Sequence, residues 1–177
     1  MTRRVEVVPH NPHWLSAFEN ESKQVAVALG DGIVAIHHIG STAISMIHAK
    51  PIIDMLVEVR EIAKVDERNS AMQALGYEVM GEFGIPGRRF FRKDNEAGIR
   101  THHIHAFEGN SAQVERHLTF RNYMRVHAED AQKYSELKQE LAKRYPNDIE
   151  GYMDGKDEFI KEMDKKAAEW QISQTGM

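Results

Sequence analysis

The segment Pro51-Ile52-Ile53-Asp54-Met55-Leu56-Val57-Glu58-Val59 constrains this chain more than any other. Its density of Ile, Val and Leu predicts a largely buried strand over 51–59. A strand of that kind belongs inside a sheet covered by helices. A chain of 177 residues with 41% hydrophobic content has the material for that in one domain. One carboxylate interrupts the run. A buried Asp is costly unless it is paired, hydrogen-bonded or metal-bound. Asp54 therefore marks either an ion pair with a nearby Lys, Arg or His, or a functional site.

The remaining elements follow from periodicity and punctuation. Trp14, Phe18, Val25 and Leu29 recur at helical spacing after Asn11-Pro12, with Pro12 suited to the first turn and Asn11 the cap candidate. Gly30-Asp31-Gly32 ends that helix, and the β-branched run 33–39 reads as a strand closed by Gly40-Ser41. A helix is expected over 61–75, stopped by Gly76. Strands follow over 77–83 and 88–93, joined by Gly84-Ile85-Pro86-Gly87, and a fifth strand over 99–107. Beyond Gly109-Asn110-Ser111, three helices are expected over 112–127, 129–144 and 149–170, with Ser111 capping the first and a break near Gly151 or Gly155. The pattern is an α+β domain spanning 1–177, its sheet over about 30–108 and its helical part over about 111–172.

Charge narrows the function classes. The net charge of -4 argues against a general nucleic-acid binder. The absence of Cys removes disulfides and thiolate metal sites. No apolar run reaches the length of a membrane span, and Met1-Thr2-Arg3-Arg4-Val5 opens no secretory h-region, so a cytoplasmic protein is the expectation.

Twelve residues separate Ser41 from Asp54. Gly40 lets backbone approach a phosphate, and the Ser41 hydroxyl with following N–H groups can hold its oxygens. Asp54, from the neighbouring strand, can hold a divalent cation that bridges phosphates during group transfer. This is the spacing by which a nucleotidyltransferase sets a phosphate turn opposite a metal-binding carboxylate.

The run Gly40-Ser41-Thr42, then Lys50-Pro51-Ile52-Ile53-Asp54, resembles the motif of the GrpB family. The likeness continues through His102-His103-Ile104-His105, through His117-Leu118-Thr119-Phe120-Arg121-Asn122-Tyr123-Met124-Arg125, and through Tyr134, Lys138, Leu141-Ala142, Tyr152 and Lys156. It covers nearly the whole chain. The resemblance implies a mixed five-stranded sheet of nucleotidyltransferase type, of the polymerase β superfamily, with an N-terminal helix and C-terminal helices. A similar domain is fused to dephospho-coenzyme A kinase in some actinobacterial proteins, which points to a nucleotide or coenzyme-like ligand by association.

Two departures qualify that expectation. An active transferase of this type carries a second carboxylate two residues after the first, on the same strand face. Leu56 stands there, and Glu58 lies about 13 Å from Asp54 at about 3.3 Å per residue. Ser45-Met46 also replaces the Pro-Gly common in the family, which alters the stiffness of the loop.

His103 and His105 share one face of the fifth strand. Beside Asp54 they would form a two-His, one-carboxylate set suited to Zn²⁺ or Mn²⁺ more than Mg²⁺, with His37 or His38 as a further contributor. The alternative is a set of hydrogen-bonded sheet histidines. Arg88, Arg89, Arg92, Lys93 and Arg100, with Arg121, Arg125, Lys138 and Lys156 on later helices, supply a basic cluster for a polyphosphate or a solvated charged face. Phe90, Phe91, Phe120, Tyr123 and Trp170 are assigned to the core.

The leading expectation is a metal-dependent nucleotidyl- or phosphoryl-transfer enzyme or a nucleotide-binding relative of one. Gly40, Ser41, Lys50 and Arg121 would contact nucleoside triphosphate. Asp54, His103 and His105 would hold Mg²⁺, Mn²⁺ or Zn²⁺, and Asp54 and His105 would be catalytic. The rival is a non-catalytic nucleotide- or coenzyme-binding or protein-interaction module that has lost the two-carboxylate site. A purely structural protein is the third reading.

Overall fold

In the computed structural model, which describes residues 5–175, the apolar run becomes the second strand of a single five-stranded sheet. The elements are α1 (His13–Leu29), β1 (Ile33–Ile39), β2 (Ile53–Val59), α2 (Asn69–Ala74), β3 (Glu78–Val79), β4 (Arg89–Asp94), β5 (Arg100–Glu108), α3 (Ala112–Val126), α4 (Ala128–Arg144) and α5 (Ile149–Thr175). The spatial order is β1-β2-β5-β4-β3. β2 and β5 run parallel, and the other neighbouring pairs are antiparallel. The expected mixed α+β sheet with flanking helices is thus what the chain forms.

Strand alternation divides the sheet into two unlike faces. Ile53, Met55, Val57 and Val59 of β2 pack with Ile104 and Ala106 of β5 and Phe91 of β4. Trp14, Val25 and Leu29 of α1 and Met72 of α2 cover them. Asn11 Oδ1 accepts the His13 amide at 2.9 Å where α1 begins. Buried Glu21 on α1 accepts from Lys93 and from the Tyr77 hydroxyl, fastening the helix to β4. On the opposite face, Leu56 packs with Ile39, Phe107 and Val114 beneath α3.

The three last helices have their own core of Tyr123, Met124, Tyr134 and Met163, into which Ile44 and Ile47 from the β1–β2 connection insert. That connection is bound to α4 by the His48 amide on Ser135 Oγ at 2.8 Å and by Gln132 Nε2 on the Met46 carbonyl at 3.2 Å. The N-terminal residues tie both halves, through a Val8–Ala49 bridge and the Val5 amide on the Pro146 carbonyl at 2.9 Å. Among the described residues, no helix is long and apolar enough to cross a membrane.

Three segments depart from the pattern expected of them. The helix over 61–75 divides into a 3-10 segment, Ile62–Arg68, and the short α2. Ile62 and Val65 stand three apart, the repeat a 3-10 turn brings onto one line, and Val65 alone is buried there. The strand over 77–83 shrinks to Glu78–Val79, because Gly81 at φ 62° and Phe83 at φ 47° turn the chain off the ladder. The break near Gly151 or Gly155 does not occur. α5 runs through both, and at Gly155 a Cβ would sit 2.4 Å from Leu141 Cδ2. That glycine lets α4 and α5 approach closely.

Candidate functional site

A cavity of about 470 Å³ opens on the face opposite α1, between the sheet and helices α4 and α5. Gly40 and Ser41 form one wall, Asp54, His103 and His105 the floor, and Lys50, Lys138 and Lys156 the far side. Gly40, Ser41 and Asp54 therefore meet as their spacing suggested. The register explains it, since Ile39 pairs with Asp54 and Asp54 with His103 across β1, β2 and β5. Gly40 is at φ 76°, and a Cβ there would lie 2.6 Å from Asp54 Oδ2, so only glycine lets the turn close over the carboxylate. Thr42 completes the turn. It donates to the Ile52 carbonyl at 3.3 Å and accepts from His38 Nε2 at 2.9 Å. The departing residue Met46 keeps the backbone of a glycine, at φ 69° with its side chain exposed.

Asp54 is one-quarter exposed at the floor. Its Oδ1 lies 3.3 Å from His103 Nδ1 and 3.5 Å from His105 Nε2. Burial pushes the carboxyl up, but the two imidazoles outweigh it and hold Asp54 well below the usual carboxylate range. The outer ring nitrogens face guanidinium groups. Arg100 Nη1 is 3.3 Å from His103 Nε2, and Arg88 Nη1 is 3.3 Å from His105 Nδ1. A guanidinium offers only N–H, so each outer nitrogen must accept, and each inner nitrogen carries its hydrogen toward Asp54.

That wiring bears on the divalent metal. A metal-ligating His needs a lone pair on the inner nitrogen and an acceptor for its outer N–H. Here the polarity is reversed on both rings. Leu56, fully buried, stands where a second carboxylate should be. Other acids are committed elsewhere: Glu58 to His37 at 2.5 Å, Glu82 to the Gly87 amide, Glu108 to the Ile62 amide. Among the described residues no group of three or more His, Asp or Glu is arranged to hold a metal ion. The donor set as it stands does not fit one.

Neither β1 histidine joins the cluster. His37 shares the face of Leu56 but pairs with Glu58. His38 points to the α1 face, where it stacks on Phe18 at 4.7 Å, and burial, with Arg125 and Arg121 adding to it, pushes its imidazole down to about 4. Arg121 does not line the cavity. Its Nη1 donates to the His38 carbonyl at 3.1 Å, and Arg125 Nε donates to the Ala43 carbonyl at 3.0 Å, so two arginines of α3 brace the Gly40 turn from behind. Most of the basic strand cluster is neutralised: Arg89 by Asp66, Arg92 by Glu78, Lys93 by Glu21, Arg100 by Asp94.

The cations that do reach the cavity are Lys50, Arg88, Lys138 and Lys156. Lys138 is 1% exposed, its Nζ has no hydrogen-bond partner, and it lies 4.2 Å over the Tyr134 ring. Burial, with Lys156 and Lys50 adding to it, pushes its ammonium down to about 6. Lys50 and Lys156 flank the Tyr152 ring at 5.3 and 5.1 Å, and burial lowers Lys156 as well, with Asp54 opposing. In the sequence Lys138 and Lys156 stand out only as part of a wider basic cluster with Arg121 and Arg125, though a signal separating them existed. Tyr134-Lys138-Leu141 and Tyr152-Lys156-Phe159-Met163 place each lysine on a buried helical stripe. Phe90, assigned to the core, also lines the cavity.

The chain matches the family described as GrpB protein over residues 4–166. It is 45% identical over 168 residues to the UPF0157 protein YqkA of Bacillus subtilis, covering 95% of this chain and 48% of that one. It is 38% identical over 159 residues to the UPF0157 protein PA4798 of Pseudomonas aeruginosa, covering 89% and 65%. The chain thus spans about half the length of the first of these relatives and just under two thirds of the second. Over 162 residues it is 33% identical to the glutamate-rich protein GrpB of Alkalihalophilus pseudofirmus, covering 90% and 93%. The crystal structure of conserved protein GrpB from Enterococcus faecalis superimposes with a TM-score of 0.90 at 42% identity, covering 94% of this chain and 99% of that one. With the family match spanning most of its length and relatives this close, the chain belongs to the GrpB family.

Proposed function

We propose that this protein binds a phosphate-bearing small molecule, nucleotide or coenzyme-like, without a metal pair. The observation that carries the reading is Lys138: a buried amine with no hydrogen-bond partner, facing a cavity that two further lysines and Arg88 also line. A polyphosphate would give Lys138 the acceptor it lacks and neutralise the crowded cations. The Gly40-Ser41 turn, braced from behind, would receive one phosphate on its hydroxyl and N–H groups. Asp54 is held, against its burial, below the usual carboxylate range by the imidazoles of His103 and His105. Its role would be to hold His103 and His105 in one orientation at the cavity floor.

Nucleotidyl or phosphoryl transfer by the two-metal route is disfavoured by Leu56 and by the reversed polarity around the histidines. The binding reading is favoured by the same two observations. Calorimetric titration with ATP and with tripolyphosphate, each in Mg²⁺ and in EDTA, tests it. Binding in EDTA is expected, and Lys138→Met should weaken it about ten- to hundredfold, the worth of one charge-assisted hydrogen bond. No binding of either anion by the wild type, or full affinity in K138M, would refute the proposal. Binding that appears only with the metal would restore Asp54, His103 and His105 as its ligands.

A further inference from the structure

Phe83 is a large aromatic left 53% exposed, at the rim of the same cavity. It sits in the loop between β3 and β4 at φ 47°, a conformation uncommon for a bulky residue and one that persists only where its surroundings enforce it. Gly81, Gly84 and Gly87, all at positive φ, make the turns around it. The enforcing group is Arg88. Its Nη2 donates to the Phe83 carbonyl at 2.9 Å and its Nε to the Glu82 carbonyl at 3.2 Å, while Nη1 reaches His105. One buried guanidinium thus fixes the loop and the cavity floor together.

The ring itself stacks on Phe90 at 5.3 Å with an 18° interplanar angle, and Arg92 lies 5.6 Å from its centroid. Phe90 and Arg92 are two apart on β4 and share a face, so both meet Phe83 from the sheet side. The exposed part is the side away from the sheet. Burying that surface against solvent-excluding apolar matter would be favourable, yet among the described residues Phe83 stays 53% exposed. Met153, half-exposed on α5, is a further apolar side chain lining the cavity.

We infer that Phe83, backed by Phe90, is a stacking shelf for a planar aromatic ring carried by the phosphate-bearing ligand, as in a nucleobase. The inference rests on the anion-binding reading above. It divides the cavity into an anion-binding end at Lys50, Lys138 and Lys156 and an aromatic end at Phe83. A flat π-face is sequence-tolerant as a base platform, so the shelf selects a ring without naming the base.

The test compares Phe83→Ala and Phe83→Trp in titrations with ATP and with tripolyphosphate, which carries the charge and no ring. The alanine variant should weaken ATP about ten- to hundredfold and leave tripolyphosphate within about twofold. The tryptophan variant should retain ATP affinity, which a merely structural role for Phe83 would not produce. Unchanged ATP affinity in F83A overturns the inference while leaving the anion site standing. Equal weakening of both ligands overturns it too, assigning Phe83 to the shape of the loop. ATP that binds no more tightly than tripolyphosphate to the wild type overturns it without either variant.

Discussion

The two faces of the sheet are built by alternate residues of the same strands and obey different rules. Toward α1, Met55, Val57, Ile104 and Ala106 form a dry, continuous core. Toward the cavity, Asp54, His103, His105 and Arg88 sit one position away along the same backbones, wired to one another and partly wet. The first face supplies stability. The second spends some of it, holding a carboxylate, two imidazoles and a buried amine where apolar side chains would pack at lower cost. The dry face directly behind it offsets that cost.

Substitutions one residue apart should break this comparison open. Met55→Ala removes a fully buried side chain from the dry face and should cost about 2–5 kcal/mol in urea unfolding at neutral pH. Its neighbour Asp54→Asn should cost less, about 1–2 kcal/mol, and only in part of the pH range. The Asp54 carboxyl is held below its ordinary value in the folded state. Its stabilisation is therefore fully present above the unfolded value, near 4, and lost as pH falls through the folded one. Urea midpoints measured from neutral to acid pH should show the two proteins converging only in acid; a constant gap would mean that the imidazoles do not favour the charged form. The smallest effect lies in the connection between β1 and β2. Met46→Gly should stabilise by about 0.5–1 kcal/mol, because the left-handed conformation costs a side chain more than glycine loses in chain entropy.

The dry face was legible in the sequence because burial writes a period into the chain. So was half of the cavity. An Asp inside an apolar run and two His spaced two apart could share a face if their strands were neighbours, and the register that pairs Asp54 with His103 makes them do so. The lysine side of the cavity was less legible. Arg121, Arg125, Lys138 and Lys156 look alike as basic residues on late helices, yet α3 turns its two toward backbone carbonyls and α4 and α5 turn theirs into the cavity. Only the helical phase, with each lysine in line with tyrosines and aliphatics, separates them. The polarity of the His103 and His105 hydrogen bonds was beyond reach, since it depends on Arg88, just before β4, and Arg100, at the start of β5.

Val5 and Val8 stitch the beginning of the described chain to Pro146 and Ala49. Val5 also packs beside Tyr152, whose ring lies between Lys50 and Lys156. During synthesis from the N-terminus, every strand of the sheet is available once Glu108 has emerged, but the partner of Val5 and the helices bearing Lys138 and Lys156 are not. Contacts so distant in sequence form late. On the ribosome, the chain would assemble its sheet first and this cavity last, so that a nascent or truncated chain would present the aspartate and histidines without Lys138 and Lys156.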